Sequence, residues 1–404
     1  MQTPTNPPSR TEFIVLTAFM VSIVAMSTDV MLPAVAEIGA DLSVYQANEA
    51  QFIITALFLG FGLGMLFAGP LSDSFGRRPI IFLGYAVFIV GCAVSAMTRT
   101  WELMILGRVL QGIGAAAPRV VTVALVRDGY AGRGMAYIMS FIMAVFVLVP
   151  MIAPAIGQFI IALSGWRQTF IFLGAIALIA AIWFAFRQPE TLRTELRRPF
   201  SFASFWDGTK QVLESRIAVG YTLAISMIFG AFIAYLSTAQ QVFVEAYDAG
   251  TLFPLYFAIA AFSMGFASLI NAGLVMRLGM RLLSWWATIL IIVSSLVFLI
   301  PTYASDGLPS FTHFILWLMS VLFCVGALFA NLNALAMEPL GHIAGLGAAL
   351  VGAASNFIAL PLAYVIGQAF KGGVTHLVLG FLVLSIAIIV VILWTERGVP
   401  KAEG

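Results

Sequence analysis

Gly69-Pro70-Leu71-Ser72-Asp73-Ser74-Phe75-Gly76-Arg77-Arg78-Pro79 joins two long apolar stretches, roughly 47–70 and 79–98. A turn this short, dense in charge and glycine, leaves no room for the chain to cross anything between those stretches. Glycine lets the backbone turn tightly where two helices approach. Asp73 can accept hydrogen bonds from a helix N-terminus, where the dipole favours an anion, and can pair with Arg77. The flanking stretches therefore read as two helices joined by a short charged turn. The competing reading is a solvated charged turn.

Outward from this turn the same pattern recurs. Hydrophobic residues make up 61% of the 404 and charged residues 9%, against about 25% charged in soluble proteins. Water could not solvate such a surface, so the solvent is a lipid bilayer. About 20 apolar residues span its hydrocarbon. Candidate spans are roughly 13–36, 47–70, 79–98, 101–126, 135–163, 167–187, 217–241, 251–275, 282–302, 312–337, 343–370 and 374–395. The expected fold is all-α and polytopic, with twelve transmembrane helices in two six-helix halves, 1–187 and 216–404, joined by a cytoplasmic linker, 188–215. Transporters built from such repeats bind substrate between them. The linker is read either as a short helix lying at the interface, through Phe200, Phe202, Phe205, Trp206 and its basic residues, or as a flexible tether.

With both termini cytoplasmic, fifteen Lys and Arg fall on that side and three, Arg99, Arg167 and Lys371, on the other. The bias sets the orientation, and the last two, Arg108 and Arg119, lie within the membrane. Ala34-Val35-Ala36 resembles a signal-peptide cleavage site, but an apolar core interrupted by Asp29 makes a poor signal, so the first stretch is read as a span. A net charge of +2 gives no reason to expect nucleic acid. Cys92 and Cys324 sit inside apolar stretches and His313, His342 and His376 are scattered, so no metal site is expected. Nothing resembles a phosphate-binding loop or groups a nucleophile with a base. An enzyme, ATP-driven transport and a cofactor are therefore not expected.

The 69–79 turn resembles the G-x-L-x-D-x-x-G-R-R/K signature of the major facilitator superfamily, with Ser74 departing where a base is common. The resemblance implies a major facilitator fold and a conformational latch made by Gly69, Asp73, Gly76, Arg77 and Arg78, with Asp128 as a further partner. The second half keeps fragments of it in Arg277-Leu278-Gly279-Met280-Arg281. In the fourth span, Gly107-Arg108-Val109-Leu110-Gln111-Gly112 resembles the R-x-x-Q-G motif of proton-coupled antiporters. At about 100° per residue, Arg119 falls about 20° from Arg108, Ala115 about 20° the other way and Gln111 about 60° away. A cationic stripe of this kind faces protein or a wet cavity, not lipid. Arg119 can alternatively snorkel to the cytoplasmic interface, and Arg108 can serve as a structural donor to backbone.

Asp29 and Pro33 in the first span, together with the fourth-span motif, resemble the Bcr/CflA-type drug:proton antiporters, exporters of bicyclomycin and chloramphenicol. Counting residues from the span ends places Asp29 and Arg108 both roughly 10 Å below the outer membrane edge. Burial disfavours the charged form of a carboxyl and a nearby cation favours it. Those opposed effects would let Asp29 take up and release a proton; the alternative is a permanently ionised partner of Arg108. Pro150, Pro154 and Gly157 in the fifth span resemble the antiporter motif G/A-P-x-x-G, with Gln158 departing from it. Prolines kink the helix and small residues allow close approach. The second half offers neutral polar residues instead, with Tyr221, Tyr235, Asn331 and Asn356 joining Gln111, Ala115 and Arg119 as candidate cavity lining.

The function expected is proton-driven export of small lipophilic drugs from a bacterial inner membrane by a monomer, with protons, drug-like molecules and lipid as partners. Two alternatives stand beside it. One is an exporter dedicated to a metabolite such as an amino acid or siderophore; the other is a non-transporting membrane sensor or scaffold.

Overall fold

The computed structural model describes residues 8–44, 47–130, 132–197 and 201–397. Fourteen α-helices follow in order: α1 Arg10–Asp29, α2 Val35–Asp41, α3 Phe52–Phe75, α4 Arg77–Met97, α5 Trp101–Gly129, α6 Gly132–Ser164, α7 Arg167–Arg187, α8 Phe202–Glu214, α9 Arg216–Gln240, α10 Phe253–Leu278, α11 Met280–Ala304, α12 Phe311–Met337, α13 Ala344–Gln368 and α14 Thr375–Glu396. Caps mark several edges. Ser9 Oγ accepts from the Glu12 amide at 3.2 Å, and the Thr100 side chain accepts from the Leu103 amide, satisfying amides that the first turn leaves free.

Eleven helical stretches among the described residues are long and apolar enough to cross a membrane. One of them, Phe311–Gln368, runs for 58 residues. As a single helix it would measure about 87 Å, against about 30 Å of hydrocarbon. It is two helices, α12 and α13, joined by a 3-10 turn at Glu338–Ile343 where Pro339 interrupts the pattern. The long stretch thus counts twice, and twelve crossings result. Large apolar side chains such as Phe159, Leu269, Ile300 and Val365 are exposed, as expected of surfaces that meet lipid rather than water.

The first span departs from a plain helix. α1 stops at Asp29, a turn and a 3-10 segment Leu32–Ala34 follow, and α2 resumes. Pro33 lacks the amide that a continuing helix would use, and it disfavours helical geometry at the residue before it. The break therefore falls next to the acid.

Contacts group the chain into two units. The first takes Met1–Ser201 together with Leu236–Phe262. Within it α5 packs on both α3 and α4 through small residues. A Cβ added at Gly112 would come 2.0 Å from the Leu57 carbonyl oxygen, and one at Gly114 would come 2.3 Å from the Phe88 amide nitrogen. Dispersion over such close backbones is what holds helices together in lipid. The same unit contains a π-helical turn at Gln241–Ala246. Gln51 Nε2 donates to Gln241 Oε1 at 2.7 Å, and Gln158 Nε2 donates to the Gly250 carbonyl at 3.2 Å.

The second unit takes Phe202–Tyr235 and Ser263–Gly404. In it α11 packs on α12 and α14, with Phe298 stacked on Trp317 and the Trp317 Nε1 donating to Ser295 Oγ at 3.2 Å. The linker segment is helical over α8: Val212 is buried, Gln211 Oε1 lies 2.7 Å from His342 Nε2, and Phe202 and Trp206 are exposed. Arg198 and Phe200 of the expected linker helix lie outside the described residues.

Replacing Gly112 by Val forces α3 and α5 apart, a form of overpacking that costs typically about 1–3 kcal/mol. Thermal unfolding in detergent should register a lower midpoint for Gly112→Val. Gly129→Ala, where a Cβ meets nothing within 4 Å, should match the parent.

Candidate functional site

Asp29 is the last residue of α1 and only 4% exposed. The hydroxyls beside it do not serve it. Ser27 Oγ and Thr28 Oγ1 both donate back to the Val24 carbonyl, at 2.7 and 3.2 Å, the habit of such residues within helices. Among the described residues no ion pair or side-chain hydrogen bond reaches the Asp29 carboxyl. The next residue, Val30, touches α6: a Cβ on Gly157 would sit 1.8 Å from the Val30 carbonyl oxygen. The motif glycine of α6 thus lies directly against the break in the first span. Pro150 and Pro154 precede it within the same helix.

Arg108 is fully buried on α5. Its Nε donates to the Ile53 carbonyl at 3.0 Å, its Nη1 donates to Gln111 Oε1 at 2.6 Å, and its guanidinium lies 5.8 Å from the Phe170 ring centre. Nη2 has no partner. Gln111 in turn donates to Ser95 Oγ at 3.1 Å. Arg108 and Gln111, three residues apart, are therefore brought together, whereas Asp29 and Arg108 form no ion pair. Two of the three guanidinium nitrogens are thus held by uncharged oxygens rather than by an acid.

Arg119 lies half-buried further along the same stripe, 5.4 Å from the Phe146 ring centre. Ala115 is buried between the two arginines.

The 69–79 turn builds the densest polar cluster. Gly76, with φ of 105°, turns the chain from α3 into α4, a conformation open chiefly to glycine. Arg77 Nη1 pairs with Asp73, its Nε reaches Asp128 Oδ2 at 3.0 Å, and Nη1 also donates to Ser72 Oγ at 2.9 Å. Glu190, just after α7, accepts from the backbone amides of Arg77 and Arg78, each at 3.0 Å. That places a carboxylate at the N-terminus of α4, where free amides and the dipole favour an anion. Thr191 Oγ1 donates to Asp128 Oδ2 at 2.8 Å, and Arg78 donates to the carbonyls of Gln188 and Ala185. Gly69 lies along α3, 3.8 Å from Val120 for an added Cβ. Glu190 and Thr191 were not among the residues read from sequence; an acid directly after a span, on the face that carries Arg77, was the available signal.

Of the second-half residues read as cavity lining, Tyr221, Asn331 and Asn356 have hydrogen-bond partners within the chain. The Tyr221 hydroxyl donates to Glu396, and Glu396 Oε1 also accepts from Arg281 Nε at 3.0 Å, whose Nη2 reaches Glu338 at 2.7 Å. That cluster joins the starts of α9 and α11 to the ends of α12 and α14, and Arg281 comes from the fragment of the turn kept in the second half. Asn331 exchanges two hydrogen bonds with Asn271, at 2.8 and 3.0 Å. Asn356 Nδ2 donates to the Gly352 carbonyl at 2.9 Å, and Tyr235 is buried near Phe232. Among the described residues no group of three His, Cys, Asp or Glu is placed to hold a metal.

Removing Arg77 leaves Asp73 and Asp128 without their shared cation. Losing one partner of a buried pair costs about 3–5 kcal/mol, less here because Asp73 is 45% exposed. Arg77→Ala should therefore lower the unfolding midpoint clearly. Lys210→Ala breaks only the exposed 3.8 Å contact to Glu214, a type of pair worth roughly 0.3–0.5 kcal/mol, and should barely move it.

Comparison with known proteins follows this geometry. The profile described as the Major Facilitator Superfamily matches residues 15–363. A bicyclomycin resistance protein homolog of Haemophilus influenzae is 30% identical over 86% of this chain and 87% of its own. Multidrug resistance protein D of Escherichia coli is 26% identical over 94% of both chains. The crystal structure of a D-xylose-proton symporter superposes with a TM-score of 0.76 at 16% identity, covering 96% of this chain and 98% of that one, a likeness of fold alone.

Proposed function

The chain belongs to the Major Facilitator Superfamily, and on that premise we propose that it exports small lipophilic drugs across the inner membrane in exchange for protons. Its relatives carry the names of bicyclomycin and multidrug resistance proteins, which supports drug efflux as the task. The observation that carries the coupling is Asp29, an acid 4% exposed at the broken end of α1 with no ion pair among the described residues. An ionised carboxyl in such a place costs several kcal/mol unless something matches it. Binding a proton removes that cost and opening the site to water removes it too, so the two states of Asp29 favour different conformations.

The cycle then runs as alternating access. Substrate enters from the cytoplasm or inner leaflet while Asp29 gives up its proton. A proton arriving from outside restores the neutral acid and the inward-facing state. Arg108, held by Ile53 and Gln111, contributes a fixed positive field on the same side of the bundle without neutralising Asp29 by contact. The Gly157 contact with Val30 couples motion of α6 to the break beside Asp29. Arg77, Asp73, Asp128 and Glu190 act as the cytoplasmic latch, broken and remade in each cycle. The proton gradient supplies the energy, no cofactor takes part, both termini face the cytoplasm and the monomer is the working unit.

In proteoliposomes, Asp29→Asn should bind substrate yet export none under a proton gradient beyond the level of empty liposomes. Export at the parental rate by that variant contradicts the coupling role. Asp73→Asn should slow turnover for every substrate alike, and a change in the order of substrate preference contradicts the latch.

A further inference from the structure

Among the described residues Arg119 is a cation with no anion beside it. Among the described residues it takes part in no hydrogen bond and no ion pair; its one recorded contact of charge is with the Phe146 ring, 5.4 Å away. The faces of α5 explain why. Added Cβ atoms on Gly60 and Gly64 of α3 would strike Val109, Ile113 and Ala116. On Gly84 and Gly91 of α4 they would strike Gly107, Gln111, Gly114, Ala117 and Pro118. At about 100° per residue, the α3 side centres on Ile113, Val109 and Ala116, and the α4 side on Gly107, Gly114 and Pro118. Arg119 falls between those two sides, on the stripe of Arg108 and Ala115; Arg108, eleven residues earlier, still reaches the α3 backbone at Ile53, whereas Arg119 has no such bond among the described residues.

Depth adds a constraint. Eight residues separate Arg119 from Arg127 at the cytoplasmic end of α5, about 12 Å along the axis. That is beyond what an arginine side chain spans, so the guanidinium does not reach the level of Arg127. Arg108 on the same stripe is also without an acid, but it has a carbonyl and an amide oxygen. Arg119 has neither, and it is half-buried rather than sealed. A guanidinium in that condition needs a matching anion from outside the chain or water.

We infer that Arg119 and Phe146 form a subsite for the carboxylate of planar aromatic substrates. The guanidinium edge offers paired N–H donors that suit a carboxylate bidentately, and the Phe146 ring supplies a face on which a substrate ring stacks. The inference rests on the export reading and narrows its substrate class, from lipophilic compounds in general to those that include aromatic acids and zwitterions. Asp29 lies toward the opposite end of the membrane from Arg119, so an anion at this subsite does not compete with the coupling proton.

Equilibrium dialysis of the purified full-length protein in detergent tests it, with naphthoate and its uncharged isostere naphthamide as probes and chloramphenicol as a neutral reference. The parent should bind naphthoate at least roughly tenfold more tightly than naphthamide, the ratio one charge-assisted interaction supplies. Arg119→Ala should erase that preference by weakening naphthoate alone, and Arg119→Lys, which keeps the charge and loses the fork, should fall between. Phe146→Leu should weaken both naphthalene probes and leave their ratio intact. If Arg119→Ala does not yield folded protein, Arg119→Lys decides: an unchanged ratio overturns the subsite. So does a parent that binds naphthamide and naphthoate equally, or chloramphenicol and neither probe. Binding at equilibrium needs no gradient, so failure of proton coupling at Asp29 would leave this result standing, and the reverse holds too.

Discussion

A charge buried in protein or hydrocarbon has to be matched, neutralised or wetted, and this protein meets that requirement in three ways. The first solution is the 69–79 turn. Arg77 is enclosed by Asp73, Asp128 and Ser72, while Glu190 covers the amides of Arg77 and Arg78. Cation, anions and helix dipole agree in sign there, which ties α3, α4, α5 and the end of α7 together. Arg281 with Glu338, Glu396 and Tyr221 repeats the solution in the second unit. The second solution is Arg108, satisfied in part by oxygens that carry no formal charge. The third is the one proposed for Asp29, which has no ion pair or side-chain hydrogen bond among the described residues and would be neutralised by a proton.

The backbone around Asp29 is arranged to permit this. Pro33 cannot continue the hydrogen-bond ladder, so α1 ends at the acid and α2 begins at Val35, directly after the turn at Val30 and Met31 and the 3-10 segment Leu32–Ala34. Gly157 lets α6 approach the Val30 carbonyl closely enough that any side chain there would collide. Irregular backbone at membrane depth persists where protein or water covers it. Here the covering helix carries Pro150 and Pro154, whose missing amides loosen α6 within two turns of the contact. In the proposed cycle this contact would link a change of state at Asp29 to a change of shape in α6.

The crossings were legible from sequence because apolar length reports directly on bilayer thickness, and the pairing of Asp73 with Arg77 was legible because the two are four residues apart. The break after Asp29 was foreshadowed only by Pro33. Glu190 left only a weak signal, an acid just after a span on the side of Arg77: it pairs over more than a hundred positions of sequence, and pairings at that range leave no local periodicity. Gln111, Tyr221 and Asn331 show the same limit from the other side. Spacing put Gln111 near the stripe of Arg108, yet only the packing against α4 reveals that its amide is held by Arg108 and Ser95. Tyr221 and Asn331 are neutral polar residues in apolar helices, and composition cannot tell a hydroxyl or amide that faces a cavity from one that bonds Glu396 or Asn271.

The account depends on Asp29 exchanging its proton as substrate binds. Purified protein in weakly buffered detergent, with a pH-sensitive dye in solution, reads this directly when chloramphenicol is added. The parent should release protons in proportion to the substrate bound, and Asp29→Asn should bind the same substrate and release none. Binding by the parent with no proton released at any pH in its working range, or equal release by both proteins, would contradict it.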